Sequence, residues 1–426
     1  MPDTTLTALQ EQENENTVNA GTLKISVVSS LGLLPVENAA VSISYTGDPT
    51  EPLRIVTTDN SGRTPVIELP APPRELSLQP ENEQQPYSEY NIEVTAEGYE
   101  PVLVSGSEIL ADELSLQPIV MNPLATTEDE EKVVIIPAHT LFGDFPPKIP
   151  EDEIKPMAET GEIVLSRVVI PEYIIVHDGV PSDSTARNYW VRYKDYIKNV
   201  ASCEIYSTWP ENAIYANILV IMSFTLNRVY TEWYRNQGYD FTITSSTAYD
   251  QKWVYGRNIY RNIDYLVDTV FANYLSRPGV RQPIFTSYCD GKRVTCRGLS
   301  QWGSMYLASE GYSAIEIIRY YYGNDMYINT ADIISGVPSS WPGYDLSQGA
   351  SGDKVRQLQI QLNRIARNYP AIPTVTPDGI YGPATAESVR IFQGIFNLPQ
   401  TGVTDYATWY EISEIYVGVS RISEPG

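Results

Sequence analysis

"CEIYSTWPENAIYANILVIMSFTLNRV", Cys203 to Val229, decides how the middle of this chain folds. Its second half is apolar nearly all round, which marks a helix buried on every side. Thr208-Trp209-Pro210-Glu211 has the Thr-x-x-Glu form of a capping box, with proline near the first turn. The spacing predicts a helix from Thr208 to about Gln237, stopped by Gly238. One acid, Glu204, stands alone just before that start, close to the helix's positive end. Apolar neighbours such as Ile205 and Trp209 would raise its pKa, as an acid catalyst needs, while the helix end opposes the shift.

Around this helix the text is mixed. "EIVLSRVVIPEYIIVHDG" is β-like, "NIDYLVDTVFANYLS" predicts a helix over 262–276, and "SAIEIIRYYYG" starts at a second capping box, Ser313 and Glu316, and ends at Gly323. In "PIFTSYCDGKRVTCRG" the Asp290-Gly291 pair predicts a hairpin. A two-residue turn there would leave Cys296 roughly 13 Å from Cys289, too far for a disulfide. Both cysteines then read as small buried apolar residues.

Outward on both sides the chain changes character. From Gly21 to Leu124, β-branched runs such as "LKISVVS", "AAVSISYT" and "LRIVTTD" alternate with turns such as Asp59 to Gly62, which predicts a β-sandwich. Residues 1–20 are polar and read as a disordered tail. Residues 125–160 are acidic and proline-rich and read as an exposed linker open to proteases. After a central domain over 161–340, residues 341–426 give three amphipathic helical segments. The fold class is therefore multidomain α+β: an N-terminal sandwich, a mixed central domain around a buried long helix, and a three-helix C-terminal module.

Charge sharpens the division. Residues 1–160 carry 28 acidic and seven basic side chains, so the first third holds nearly all of the net charge of −24. No basic stripe offers itself to phosphates, so nucleic acid is not an expected partner. No run is apolar and long enough to predict a membrane span, and no signal peptide is visible. Two histidines, His139 and His177, and three cysteines leave no metal-ligand set or Ser-His-Asp triad, so neither metal nor cofactor is expected. Of the 31 tyrosines, most read as packing and a minority as sugar-stacking.

Three resemblances add to this reading. "DGIYGPATAESVRIFQ" with "TGVTDYATWYEI" resembles the peptidoglycan-binding three-helix domain. It implies wall contact at Asp378, Gly379, Tyr381 and Gly382, residues that also have the chemistry of a simple turn. "PVENAAVSI", "TTDNSGRT" and "YNIEVTAEGYEPV" resemble the carboxypeptidase regulatory-like sandwich. The stretch around Glu204, with "CRGLSQWGSMYLASEGYSAIEIIRYYYGND", resembles the SpoIID-like lytic transglycosylases. That likeness implies Glu204 as the catalytic acid and Ser300, Gln301, Trp302 and Gly303 as cleft residues, although a Ser-Gln pair before a helix also serves as a cap. Met222-Ser223-Phe224 and Thr295-Cys296 stand where the family carries an Arg-Thr-Tyr segment and a His-Gly pair.

The whole order resembles the SleC-type spore cortex-lytic enzymes. It implies a proform trimmed by a subtilisin-like protease, located in the spore cortex or coat region, that cuts peptidoglycan glycan strands to 1,6-anhydromuramic ends during germination. One carboxyl suffices for that reaction, because the substrate's own C6 hydroxyl replaces water. The alternatives are a non-catalytic peptidoglycan-binding spore protein and, with less support, an amidase or peptidase.

Overall fold

The computed structural model describes residues 19–124, 132–155 and 165–421. The N-terminal tail and parts of the acidic linker lie outside these residues.

Eight strands build the sandwich: β1 (Ala20–Ser29), β2 (Ala40–Tyr45), β3 (Arg54–Thr57), β4 (Ile67–Pro70), β5 (Ser88–Thr95), β6 (Val102–Ile109), β7 (Leu114–Met121) and β8 (Lys132–Ile135). One sheet runs β3-β2-β5-β6-β8; the other joins β4, β1 and β7 to a two-residue strand, Ile259–Tyr260, lent by the central domain. Strand β1 alternates buried and half-buried residues along its whole length, and Leu23, Ile25 and Val27 meet Ile43, Ile92 and Val94 in a dry core. Asp59 accepts from the backbone N–H groups of Ser61 and Arg63, and Gly62 takes φ +71°, so the expected turn forms there.

The central domain adds β9 (Val169–Ile170), β10 (Tyr173–His177), β11 (Asn188–Arg192), β12 (Ile243–Thr244), β13 (the shared Ile259–Tyr260), β14 (Asn273–Ser276), β15 (Tyr288–Cys289), β16 (Leu299–Ser300), β17 (Tyr327–Thr330) and β18 (Ile333–Ile334). Its helices are α1 (Tyr193–Glu204), α2 (Glu211–Tyr230), α3 (Arg261–Val270), α4 (Gln301–Ser309) and α5 (Ala314–Tyr322). Helix α2 is long and apolar enough to cross a bilayer, but 89% of its apolar window is buried, so it is a core helix.

Several sequence expectations shift here. Helix α2 starts at Glu211 behind Pro210, with no side-chain cap, because the Thr208 hydroxyl is engaged 2.6 Å from Ser77 Oγ of the sandwich. It stops at Tyr230; a 3-10 turn at Arg235–Gln237 then leads to Gly238 at φ +88°. The helix expected over 262–276 ends at Val270, because Asn273–Ser276 pair with β17. The capping box at Ser313 and Glu316 and the stop at Gly323 form as expected. Helix α1 was not foreseen, although Tyr193, Tyr196, Ile197 and Val200 carry the i, i+3, i+4, i+7 spacing of a helix face.

The expected exposed linker is largely structured. Strand β8 extends the sandwich in parallel with β6, and His139, Leu141 and Lys155 are buried. Two of its acids find cations: Glu151 takes Arg228 in a two-pronged pair at 2.6 and 2.8 Å and binds Lys155 at 2.6 Å, and Glu153 pairs with Arg277.

Three helices, α6 (Asp353–Ala366), α7 (Pro383–Ile395) and α8 (Tyr406–Arg421), form the C-terminal module. It is docked rather than tethered. Lys194 reaches Asp268 (3.0 Å), Glu411 (2.7 Å) and Glu414 (2.8 Å), and Lys198 reaches Asp264 (2.7 Å) and Asp268 (2.9 Å). On the sandwich side, Arg63 donates to Asn397 at 3.1 Å and the Tyr369 hydroxyl to the Leu33 carbonyl at 3.1 Å. A second junction joins sandwich and centre: the fully buried Arg257–Glu108 pair, at 3.1 and 2.5 Å, with Asn258 donating to the Glu108 carbonyl at 2.8 Å.

Candidate functional site

Glu204 closes α1 instead of preceding α2 directly, so it sits at the negative end of its own helix. It is 5% exposed. Its carboxylate accepts from three donors: the Lys252 backbone N–H (2.9 Å) and the Tyr288 hydroxyl (3.2 Å) at Oε1, and the Gln301 amide (3.2 Å) at Oε2. The carboxyl is thus fixed in one orientation by residues from three separate segments. The packing of α1 and α4 on the apolar α2 brings Glu204 and Gln301 together.

Of the four expected cleft residues, only Gln301 touches Glu204. Ser300 caps α4, accepting from the Gly303 N–H at 3.0 Å. Trp302 is 8% exposed and lies against Trp209 and Tyr206, with ring centroids 5.0 and 6.1 Å apart. Gly303 lets α4 approach α5, since a Cβ there would stand 2.0 Å from the Tyr321 hydroxyl. Tyr288 and Lys252 went unmarked in the sequence, and Lys252 had no signal to give because it acts through its backbone.

The expected Asp290-Gly291 hairpin does not form, and the disulfide that this hairpin argued against does. Strands β15 and β16 run parallel, and the loop between them coils back. Asp290 drives this: its carboxylate accepts from the backbone N–H groups of Lys292, Arg293 and Val294. Gly291, at φ +78°, passes so close to Ser300 that a Cβ would sit 1.8 Å from its hydroxyl oxygen. The coil brings the Cα atoms of Cys289 and Cys296 to 6.0 Å, and the two are disulfide-bonded. Cys203 is free and buried, and burial pushes its thiol up to about 12.

Across the cavity from Glu204 lies the former linker. Thr140, Gly143, Phe145, Pro146, Pro147 and Lys148 form one wall; Glu204, Tyr288, Asp290, Arg293 and Gln301 belong to the other. Lys148 is half-buried as a residue but turns its ammonium inward, donating to the Asp250 carbonyl and, at 3.4 Å, to that of Thr247. It also stands 4.7 Å from the Tyr288 ring centre. Burial pushes this ammonium below the ordinary lysine value, with the charges of Glu204 and Asp250 pulling it back up.

In the C-terminal module the four expected wall residues divide. Asp378 is exposed and its Oδ1 accepts from the Ile380 N–H (2.8 Å) and the Gln359 amide (3.0 Å), which shapes a turn. Gly379 supplies φ +77° and Gly382 leads into α7. Tyr381 is 1% exposed, its hydroxyl 2.9 Å from the Gly402 carbonyl and 3.0 Å from the Thr404 hydroxyl, so its ring cannot lie on a sugar. Gln359 clamps the loop by accepting from the Gly379 N–H at 2.8 Å, and Gln393 repeats the device on the Gly402 N–H at 2.9 Å.

Among the described residues, no three of His, Cys, Asp and Glu gather as metal ligands would.

Residues 351–412 match the family described as putative peptidoglycan binding domain, so the chain carries a module of the wall-binding type. The chain is also similar to the zinc D-Ala-D-Ala carboxypeptidase of Streptomyces albus G, with 40% identity over 77 residues. That match spans 18% of this chain and 28% of the relative, so the chain covers under a third of its length. Among solved structures, the TIE protein of Bacillus anthracis is similar at 15% identity and TM-score 0.18, over 25% of this chain and 17% of that one. The minor pilin GBS52 of Streptococcus agalactiae is similar at 14% identity and TM-score 0.18, over 28% and 49%. The 5-hydroxyisourate hydrolase of Klebsiella pneumoniae is similar at 16% identity and TM-score 0.17, over 24% and 92%.

Proposed function

We propose that the protein is a lytic transglycosylase of spore cortex peptidoglycan, made as a proform and trimmed by a subtilisin-like protease. The observation that carries this reading is Glu204: one buried carboxyl, held by Lys252, Tyr288 and Gln301, in a chain that also bears a wall-binding module. In the reaction Glu204 gives its proton to the glycosidic oxygen as the C1–O bond breaks. The C6 hydroxyl oxygen of the muramic residue closes on C1, and the Glu204 carboxylate takes the hydroxyl proton back. The products are a 1,6-anhydromuramic end and a new free hydroxyl, with no water consumed. Inverting and retaining glycosidases need a second carboxyl about 5–9.5 Å away. The acid nearest in sequence, Glu211, opens α2, and among the described residues the cavity wall beside Glu204 offers only Asp290, whose carboxylate already binds three backbone N–H groups of its own loop.

The test is mass spectrometry of muropeptides from decoated spore cortex, digested with the full chain before and after limited cutting by a subtilisin-type protease. New anhydromuramic ends support the reading. Free stem peptides would replace it with an amidase or peptidase. Sedimentation with the wall and no new ends would favour the second reading, a non-catalytic wall-binding protein, which the Met222-Ser223-Phe224 segment keeps open.

A further inference from the structure

The geometry points to residues 139–155 as an intramolecular plug of the Glu204 cleft, with Lys148 standing where a sugar must go. This rests on the reading of Glu204 as the acid.

Space is the first argument. The cavity beside Glu204 measures about 60 Å³, against roughly 300–1,000 Å³ for ordinary ligand pockets. Beyond Pro147 and Lys148 it gives way to a groove of about 1150 Å³ that reaches Trp233, Thr295 and Arg297. Pro147 and Lys148 line both spaces, so the segment stands between the groove and the carboxyl.

Chemistry is the second. A glycosidic carbon gathers positive charge as its bond breaks, and the site must welcome that charge beside the carboxyl. Lys148 puts its ammonium into the same cavity, against the Tyr288 ring and the Asp250 carbonyl. The plug thus supplies the charge that a reacting sugar would develop.

The fastenings are the third. Thr140 donates from both N and Oγ1 to the Cys203 carbonyl, the residue before the acid, at 3.2 and 2.7 Å. Arg293 donates to the carbonyls of Leu141 and Gly143. The Ile149 N–H binds the Ala248 carbonyl at 2.7 Å, Glu151 pairs with Arg228, and Glu153 pairs with Arg277. The Arg293 and Glu153 clasps lie toward the surface, whereas Leu141 and Arg228, the partner of Glu151, are buried and hold the segment more firmly. Upstream the plug continues into β8, a sandwich strand. A cut downstream of residue 155 therefore sends sandwich and plug away together, whereas a cut within 125–131 leaves the plug in the cleft.

The full chain tests this in two readouts. Glu204 is labelled with a water-soluble carbodiimide and a small amine, and the adduct is located by peptide mass spectrometry; anhydromuramic release from cortex is measured in parallel. Lys148→Ala removes the occupant, and Glu153→Gln loosens a clasp exposed enough to spare the fold. Each variant is expected to raise Glu204 labelling about tenfold, as the open form gains population. Higher labelling with higher lytic activity supports the plug and the enzyme together. Higher labelling with no products from any form supports the plug and sinks the lytic reading. Unchanged labelling in both folded variants overturns the plug, whatever the activity.

Discussion

In the C-terminal module each loop is held by one glutamine from the helix before it; around Glu204 the site is held by segments drawn from Lys148 to Gln301. The first arrangement is local. It survives changes elsewhere in the chain and repeats as a unit. The second is assembled, so moving one segment opens or closes it. A binding surface that must work whenever the protein meets the wall suits the first plan, and a reaction that must wait suits the second.

The sharpest way to break this comparison is to remove the acid. Glu204→Gln keeps the Tyr288 and Lys252 contacts but cannot transfer a proton. Anhydromuramic release should fall about 10²–10⁴-fold, while sedimentation with cortex stays unchanged. A parallel loss of wall binding would mean that the two regions are not separate devices.

Next comes the joint between sandwich and centre. Arg257→Ala leaves Glu108 buried and unpaired and should cost about 3–5 kcal/mol in denaturant unfolding. If the site is assembled as described, Glu204 labelling should rise in the same variant, because α1 loses the Arg257 bond to the Ser202 carbonyl.

Loosening the local device should be felt locally. Gln359→Ala leaves the buried Gly379 N–H without its acceptor and should cost about 1–3 kcal/mol. Wall binding should weaken and Glu204 chemistry should not. Gln393→Ala is expected to copy this result at Gly402, since the geometry repeats.

The docking of the module carries a pH signature. Burial works against the Glu411 carboxylate, but Lys194 and Lys198 outweigh it and hold its pKa down at about 2. That stability is present above the ordinary carboxylate value and is lost as pH falls toward 2. Burial raises Asp264 to about 6 despite Lys198, so its protonation below pH 6 adds stability instead. Hydrogen exchange across α8 should therefore speed up as pH falls through the carboxylate range toward 2, as Glu411 loses its charge beside Lys194.

The smallest effect is expected at Tyr381. Tyr381→Phe removes a buried hydroxyl and should cost about 0.5–1.5 kcal/mol of stability, with wall affinity kept. A large loss of affinity in the folded variant would return that ring to the binding surface.

The same contrast explains what could be read from the chain alone. The sandwich strands, the capping box at Ser313 and the three helices of the module depend on neighbours within a few residues, so periodicity and turn chemistry reveal them. Glu204 itself stood out as a lone acid in apolar text. Its partners did not: Tyr288 arrives through a loop that Asp290 coils back, and Lys252 offers only a backbone N–H. The hairpin expectation failed because the Asp-Gly signal describes two strands with nothing else to bind, whereas Asp290 here finds three N–H groups in its own loop. The linker expectation failed for a related reason. Composition marked 125–160 as acidic and proline-rich, and could not show that Glu151 and Glu153 would meet Arg228 and Arg277.

The central claim is that one carboxyl cuts the glycan without water. The most direct measurement is digestion of cortex in heavy-oxygen water by the protease-trimmed protein, followed by mass spectrometry of the new glycan ends. The account predicts ends lighter by one water than a hydrolysed end, with no heavy oxygen incorporated, and none of them from Glu204→Gln. Reducing muramic ends carrying the heavy label would contradict it and would require a second acid at the site.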